Sequence, residues 1–225
     1  LSALFLWGLS RSLGLGSADV TALTLFALAP PIASAAGLAF LMRADAGFAL
    51  EVTLTATVLS PLIGPAMIAL LLPELPGPSV VALALRLGGM IAGGLALALL
   101  LRRLFGAERI AANGKIVDGL AALGMFLFVL PLFDGVGAMV AALRVLALAC
   151  LVNLGGHLAT RRLSGAALTP AEAGALGIAA GNRTVALYLA ALPAEPAFTL
   201  FVALYQFPMY LTPLLLPPVQ ERSTA

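Results

Sequence analysis

The chain has 225 residues and a formal net charge of +2, with 62% hydrophobic and 10% charged residues. An ordinary soluble domain is about 45–50% apolar and about 25% charged, so this composition excludes both a soluble domain and a disordered chain. The basic residues are scattered, which argues against a nucleic-acid partner. One cysteine and one histidine argue against a disulfide framework and a zinc site.

The chain begins with an apolar stretch, residues 1–9, that is too short to cross about 30 Å of hydrocarbon. It has neither the basic start nor the cleavage site of a signal peptide. We interpret it as the end of a helix, and we expect the chain to be a fragment of a longer protein of transporter or channel size.

Seven later stretches are apolar and long enough to span a bilayer, which takes about 20 residues each. They are predicted at 19–44, 47–72, 79–101, 116–133, 136–160, 170–192 and 196–217. The fold class predicted from them is an all-α membrane protein, a polytopic helical bundle of about seven full spans and a partial one.

The charges between these spans divide unequally between the two sides of the membrane. One side collects eight basic residues: Arg43, Arg102, Arg103, Arg109, Lys115, Arg161, Arg162 and Arg222. The other side collects one basic residue and several acidic ones: Arg11, Asp19, Glu74, Asp134 and Glu195. Because cytoplasmic connections are rich in Lys and Arg, we expect an integral protein of the inner membrane with its C-terminus in the cytoplasm.

Two of the predicted spans are interrupted near their middles. The span 19–44 has the tandem prolines Pro30 and Pro31, which remove backbone donors, in its stretch 29–37. The span 170–192 has Gly, Asn and Thr within 177–184, which permit an unwound segment. By the span count these two spans run in opposite directions. That pattern is typical of inverted-topology repeats, whose broken helices cross at the substrate site; two ordinary kinked helices are the alternative.

The two interruptions suggest how the chain is organised. Residues 1–78 are predicted to be the C-terminal part of a first inverted repeat, with its crossover helix at 19–44. Residues 79–218 are predicted to be the second repeat, with its crossover helix at 170–192. Residues 219–225 are predicted to be a cytoplasmic tail.

Residues 29–65, APPIASAAGLAFLMRADAGFALEVTLTATVLSPLIGP, resemble the first crossover helix and the following helix of the bile acid:sodium symporter family. Residues 177–213 resemble the second crossover and last helix of that family. The resemblance implies ten spans in two five-helix inverted repeats, of which this chain would hold the end of the third through the tenth. It also implies a secondary active transporter that moves a small organic anion by alternating access.

Members of that family bind two sodium ions beside the crossover. The resemblance carries a ligand role to Ser34 and Thr55, whereas Glu51 stands where the family has serine. In the second crossover, Gly177 or Ile178 stands at the family's glutamate, depending on the register. The sodium ligands are thus depleted, which leaves proton coupling through Glu51 and uncoupled transport as alternatives. A membrane sensor or structural protein that does not transport is the alternative from a different class.

Arg183 is predicted to lie near the middle of the membrane, where an arginine needs a partner or an aqueous cavity. It is interpreted as a fixed cation in place of sodium balanced by Glu51, as the partner of an anionic substrate, or as a structural residue bonded to orphan helix carbonyls. Glu51 and Thr55 share a helical face, and we expect Arg183 to lie close to Ser34, Thr55 or Glu51. The candidate pathway also contains Gly181, Asn182, Thr184 and Gln206.

Other polar residues within the spans are predicted to be structural. Arg86 and Arg144 are expected to snorkel or to face the bundle. His157 is expected to pack near an interface, and Asn153 to make a hydrogen bond between helices. No Ser/His/Asp set, Cys/His set or phosphate loop is present, so neither an enzyme nor a cofactor is predicted. The predicted partners are the lipid bilayer and a small organic anion.

Overall fold

The computed structural model describes residues 2–133 and 139–219, and the regular elements of these residues are helical. The first half of the chain forms α1 (Ser2–Ser12), α2 (Ser17–Leu28), α3 (Ala35–Leu41), α4 (Ala46–Leu71), α5 (Val80–Phe105), α6 (Ala107–Ala112) and α7 (Gly114–Val129). The second half forms α8 (Met139–Cys150), α9 (Gly156–Ser164), α10 (Pro170–Gly181), α11 (Ala186–Ala191) and α12 (Pro196–Leu215). A 3-10 turn, Leu130–Phe133, follows α7, and a π-helical turn, Leu151–Gly155, joins α8 to α9.

Five of these stretches are long and apolar enough to cross a membrane: Ala46–Leu71, Val80–Phe105, Gly114–Phe133, Ala142–Ser164 and Pro196–Leu215. They correspond to five of the seven predicted spans. The other two, 19–44 and 170–192, are each divided into two short helices, α2 with α3 and α10 with α11. The predicted apolar helical bundle, with helices long enough to cross a membrane, is therefore confirmed. Each of the two predicted interruptions separates two helices.

Several predicted boundaries were wrong. The predicted span 79–101 continues to Phe105, so Arg102 and Arg103 lie in the last turn of α5, where cations are stabilised by the helix dipole. The predicted span 136–160 continues to Ser164, again ending on two arginines, Arg161 and Arg162. Asp134, Gly135, the first residues of that span, and the tail from Gln220, which contains Arg222, lie outside the described residues.

The core of the bundle lies around α2, α12 and the two broken pairs of helices. Phe26 of α2 packs edge-on against Tyr205 and Phe201 of α12, with ring centroids 5.2 Å and 6.3 Å apart. By contrast, Leu83 and Leu87 are the buried residues of α5, and no described side chain of α7 is buried. An almost wholly exposed apolar surface suits a helix that faces lipid.

Connections that were predicted to share a side of the membrane lie close together. The Asp45 amide, between α3 and α4, donates to the Ala171 carbonyl at the start of α10 (3.1 Å), and the Val219 amide donates to the Met42 carbonyl (2.8 Å). At the other end of the bundle, Gly77 lies beside Leu192 and Pro193. The α3–α4 turn, the α9–α10 turn and the end of the described chain therefore share one end of the bundle.

Candidate functional site at the two broken helices

The unwound segments of the two broken pairs cross each other in antiparallel orientation. The first break, residues 29–34, lies between α2 and α3, and the second break, residues 182–185, lies between α10 and α11. The Ile32 amide donates to the Asn182 carbonyl (3.0 Å), and the Thr184 amide donates to the Pro30 carbonyl (2.8 Å). Pro31 and Arg183 face each other between these two bonds. The two interruptions found in the sequence are thus one place in the structure.

The first break forms because of its prolines. Ala29 has an extended conformation (φ −64°, ψ 140°), as expected for a residue that precedes proline. Pro30 and Pro31 have no amide hydrogen, so α2 cannot continue through them. The last carbonyls of α2 are therefore left without partners in their own helix and need donors from elsewhere.

Arg183 supplies most of those donors. Its Nη1 donates to the Ala29 carbonyl (2.8 Å) and to the Ala27 carbonyl (3.3 Å), at the end of α2. Its Nε donates to the Ala180 carbonyl (3.0 Å), in the last turn of α10. One guanidinium therefore joins the C-terminal ends of both broken helices. These bonds to helix carbonyls are the contacts that the structural interpretation of Arg183 predicted. Nη2 of Arg183 has no acceptor among the described residues.

Two tyrosines form hydrogen bonds with the backbone at the same crossing. The Tyr205 hydroxyl of α12 accepts from the Arg183 backbone amide (2.7 Å) and donates to the Gly181 carbonyl (2.7 Å). The Tyr188 hydroxyl donates more weakly to the Leu28 carbonyl (3.4 Å). Gly64 of α4 lies directly against that hydroxyl, and any larger residue there would collide with it. Both side chains are fully buried, so their hydroxyls provide bonds that water cannot replace.

A buried polar cluster, formed by Asn153, Asn182 and Thr212, adjoins the second break. Nδ2 of Asn153 donates to the Gly181 carbonyl (2.7 Å) and to Oδ1 of Asn182 (3.3 Å). The Thr212 hydroxyl lies 3.1 Å from Oδ1 of both asparagines. Asn153 stands in the π-helical turn, an irregularity that is frequent at functional sites. The hydrogen bond between helices that was predicted for Asn153 is confirmed.

The second break is shorter than predicted. The expected unwound stretch began at Gly177, but α10 remains helical through Gly181. A Cβ on Gly177 would lie 2.8 Å from the His157 carbonyl, and one on Gly181 would collide with the Asn153 carbonyl. These glycines therefore let α9 and the π-helical turn approach α10 closely, which is the common use of small residues in membrane helices.

A cavity of about 620 Å³ opens beside the crossing. One face of α4 forms its longest wall, and Ala27 to Pro30, Arg183 and the start of α1 form the others. Glu51 and Thr55 both lie on this wall of α4, so the prediction that they share a face towards the crossover is confirmed. Most of the remaining lining is apolar. The cavity thus has one arginine and one glutamate, with three hydroxyl side chains, those of Ser2, Thr55 and Ser60, in a largely apolar lining.

The remaining candidate residues are divided between this site and other places. Gly181, Asn182 and Thr184 belong to the crossing, where the Thr184 hydroxyl donates to the Pro31 carbonyl (3.1 Å). Ser34 is exposed at the start of α3 and does not line the cavity. Gln206 lines a separate cavity of about 480 Å³, between α7 and α12, and its Nε2 donates to the Val202 carbonyl.

Arg183 and Glu51 do not form an ion pair. The one ion pair within residues 2–133 and 139–219 joins Arg144 of α8 to Asp19 of α2. The balance of Arg183 by Glu51 is therefore not a direct contact, although both groups line the same cavity. Arg86 donates to the Ala191 carbonyl (3.2 Å). Both Arg86 and Arg144 thus have the bundle contacts expected of them.

His157 is buried against α10 rather than at an interface with solvent. Its side chain is 1% exposed, and neither ring nitrogen has a partner among the described residues. The prediction that it packs is confirmed, although it does so at the close contact with Gly177 rather than at the surface.

Sequence reasoning assigned Asn182 to the site and suggested that Tyr188 and Tyr205 line a cavity, but it did not assign Asn153 or Thr212 to the site. Thr212 is thirty residues from Asn182, and Asn153 is twenty-nine, so no local spacing connects them. One signal pointed to Asn153, since asparagine is uncommon in an apolar helix, and none pointed to Thr212.

No model of a known protein family matches the chain, and no curated protein matches it.

Proposed function

We propose that the protein is a transporter of the bile acid:sodium symporter type that carries a small organic anion by alternating access. In this proposal the two crossing pairs belong to inverted repeats in the inner membrane, with the C-terminus in the cytoplasm. The substrate binds in the cavity beside the crossing, between α4 and Arg183.

The observation that carries the proposal is the place of Arg183. It lies where two unwound segments cross, and it lines a cavity whose other walls are largely apolar. Arginine in apolar surroundings is costly, and such residues commonly mark substrate pathways. Two N–H groups on Nη2 remain for a carboxylate, sulfate or phosphate oxygen, and charge-assisted bonds of this kind are strong.

The layout of the bundle supports the repeat arrangement. The two breaks pair in antiparallel orientation, as two broken helices of opposite direction would. The predicted basic connections at Arg43 and at Arg161 and Arg162 share one end of the bundle, as cytoplasmic connections should. Gly77 and Leu192, whose connections were predicted to lie on the other side, are neighbours as well.

The test is uptake of a panel of small organic anions by the full-length protein in proteoliposomes. Thr55→Trp would fill the cavity from α4, and we expect it to lower uptake by about tenfold or more because a large ring replaces the substrate volume. Leu54→Trp is the matched control, since Leu54 lies on the exposed outer face of the same helix and does not line the cavity. It should leave uptake unchanged.

Equal uptake by the two tryptophan variants would contradict the location of the substrate. If no anion is taken up, and none raises the unfolding temperature of the protein, the transporter proposal is wrong and a membrane sensor or structural subunit is favoured. Binding without uptake would favour a sensor that retains the site.

A further inference from the structure

The C-terminal ends of two half-helices point at one position in this molecule. α2 and α10 each have twelve residues, and their last carbonyls converge on the Arg183 side chain. A helix C-terminus carries about half a negative charge, so this position favours a cation. In transporters with broken helices, such ends coordinate the Na⁺ or H⁺ that accompanies the substrate.

From this geometry we infer that the Arg183 guanidinium is a tethered cation that permanently occupies the position between the two helix ends, so that the protein moves its anion without sodium. The inference rests on the proposed transport function for its second half only. Its first half, a cation site filled by a side chain, concerns the folded protein and holds for any function.

The hydrogen bonds show why a free cation has no place there. The carbonyls of Ala27, Ala29 and Ala180 already accept from N–H groups of Arg183. A sodium ion would need those same oxygens, and the guanidinium would have to leave them. Arg183 is also held by its own backbone amide, which donates to the Tyr205 hydroxyl.

Of the candidate sodium ligands, Ser34 is exposed outside the cavity. Thr55 and Glu51 lie on the α4 wall of the cavity, but the carbonyls of the helix ends that would complete a sodium site already bond to Arg183. Nη2 of Arg183, in contrast, is left for the substrate. A fixed positive charge then neutralises the bound anion, which is the part that a co-transported cation plays in a coupled carrier.

The first experiment removes the tethered cation and supplies a free one. In Arg183→Ala, the Ala29 and Ala180 carbonyls lose their side-chain donor and the Ala27 carbonyl keeps only a long bond of 3.5 Å from the Ser2 hydroxyl, so we expect the unfolding temperature in detergent to fall by several degrees. Millimolar methylguanidinium should restore at least half of that loss, and an equal concentration of potassium chloride should restore none. Arg183→Lys, which keeps the charge but not the forked geometry, should be intermediate.

Arg86→Ala is the matched control. Arg86 also donates from Nη1 to a helix carbonyl, that of Ala191, but it does so singly and from an exposed position. Methylguanidinium should not stabilise this variant. Failure to restore Arg183→Ala, or equal restoration of both variants, would overturn the tethered cation.

The second experiment uses the unmodified full-length protein, so it does not depend on any variant folding. Replacement of sodium by potassium or choline should change neither its unfolding temperature nor its uptake of anions into proteoliposomes. Uptake driven by a sodium gradient, or stabilisation by sodium over potassium, would overturn the inference. Absence of all uptake would refute the proposed function instead, and the methylguanidinium measurement would still decide on the tethered cation.

Discussion

Both breaks interrupt a helix and expose its backbone, but they differ in the hydrogen-bonding groups that they contribute to the crossing. The first break, with Pro30 and Pro31, offers mainly carbonyl oxygens, and its one polar side chain, Ser34, is exposed. The second break offers donors, from the Thr184 amide and hydroxyl and from the Arg183 guanidinium. The crossing has one backbone bond in each direction, but its side-chain donors come from the second break, and residues 27–31 supply only carbonyl acceptors to them.

Because of this difference, we expect substitutions at the second break to lower stability more than substitutions at the first. Tyr205 and the polar cluster that support the second break are buried, so each bond lost there leaves an unpaired group that water does not reach, while Arg183 and Thr184 are half-buried. At the first break the one polar side chain, Ser34, is exposed, so its removal leaves no buried group unpaired. Three matched pairs of substitutions test this difference, in order of decreasing expected effect.

The largest difference is expected between Gly181→Ala and Gly37→Ala. A methyl group on Gly181 would collide with the Asn153 carbonyl and lie 3.2 Å from Cβ of His157, whereas Gly37 has nothing within 4 Å. We expect the free energy of unfolding to fall by about 1–3 kcal/mol in Gly181→Ala. Gly37→Ala should be unchanged or stabilised by up to about 1 kcal/mol, since alanine favours helix. Reversible unfolding in mixed micelles measures both; equal effects would contradict the close packing of α9 on α10.

The second difference is expected between Tyr205→Phe and Tyr188→Phe. The Tyr205 hydroxyl makes two bonds of 2.7 Å at the second break, and the Tyr188 hydroxyl makes one of 3.4 Å at the first. The same micelle assay should show a loss of about 1–3 kcal/mol for Tyr205→Phe and less than about 1 kcal/mol for Tyr188→Phe. The reverse order would show that the first break, not the second, limits stability.

The smallest difference is expected between Thr184→Val and Ser34→Ala. Valine keeps the shape of threonine but removes the 3.1 Å bond to the Pro31 carbonyl, at a cost of about 1 kcal/mol. Ser34 is exposed, so its loss should change the free energy of unfolding by less than about 0.5 kcal/mol. A sodium-dependent stabilisation that disappears in Ser34→Ala would instead favour the ligand role that the family resemblance implies.

The sequence was sufficient to predict those elements in which the residue type dictates the backbone conformation. Tandem prolines must interrupt a helix, and long apolar runs must be helical in lipid, so the first break and five of the long helices could be found. Glycine is ambiguous, because it permits both unwinding and close packing. For that reason Gly177 was misassigned to the break when it is helical and packed against His157.

The sequence predicted which residues belong to the site better than it predicted the hydrogen bonds between them. Arg183 stood out as a charge within an apolar span, and the spacing of Glu51 and Thr55 fixed their common face. The partners of Arg183 are backbone carbonyls, which every residue has, so no side-chain pattern could reveal Ala27, Ala29 and Ala180 as acceptors. Long-range partners such as Thr212 likewise leave no mark in local spacing.

The tandem prolines also limit what the extended segments can pair with. Two crossing strands in an apolar core resemble the start of a sheet, and a row of open amides would invite further strands, from this chain while it folds or from another copy. Pro30 and Pro31 have no amide hydrogen to donate. The backbone hydrogen bonds between the two breaks are the two donated by Ile32 and Thr184. The same residues that interrupt the helix therefore leave no N–H group at positions 30 and 31 to which a further strand could pair.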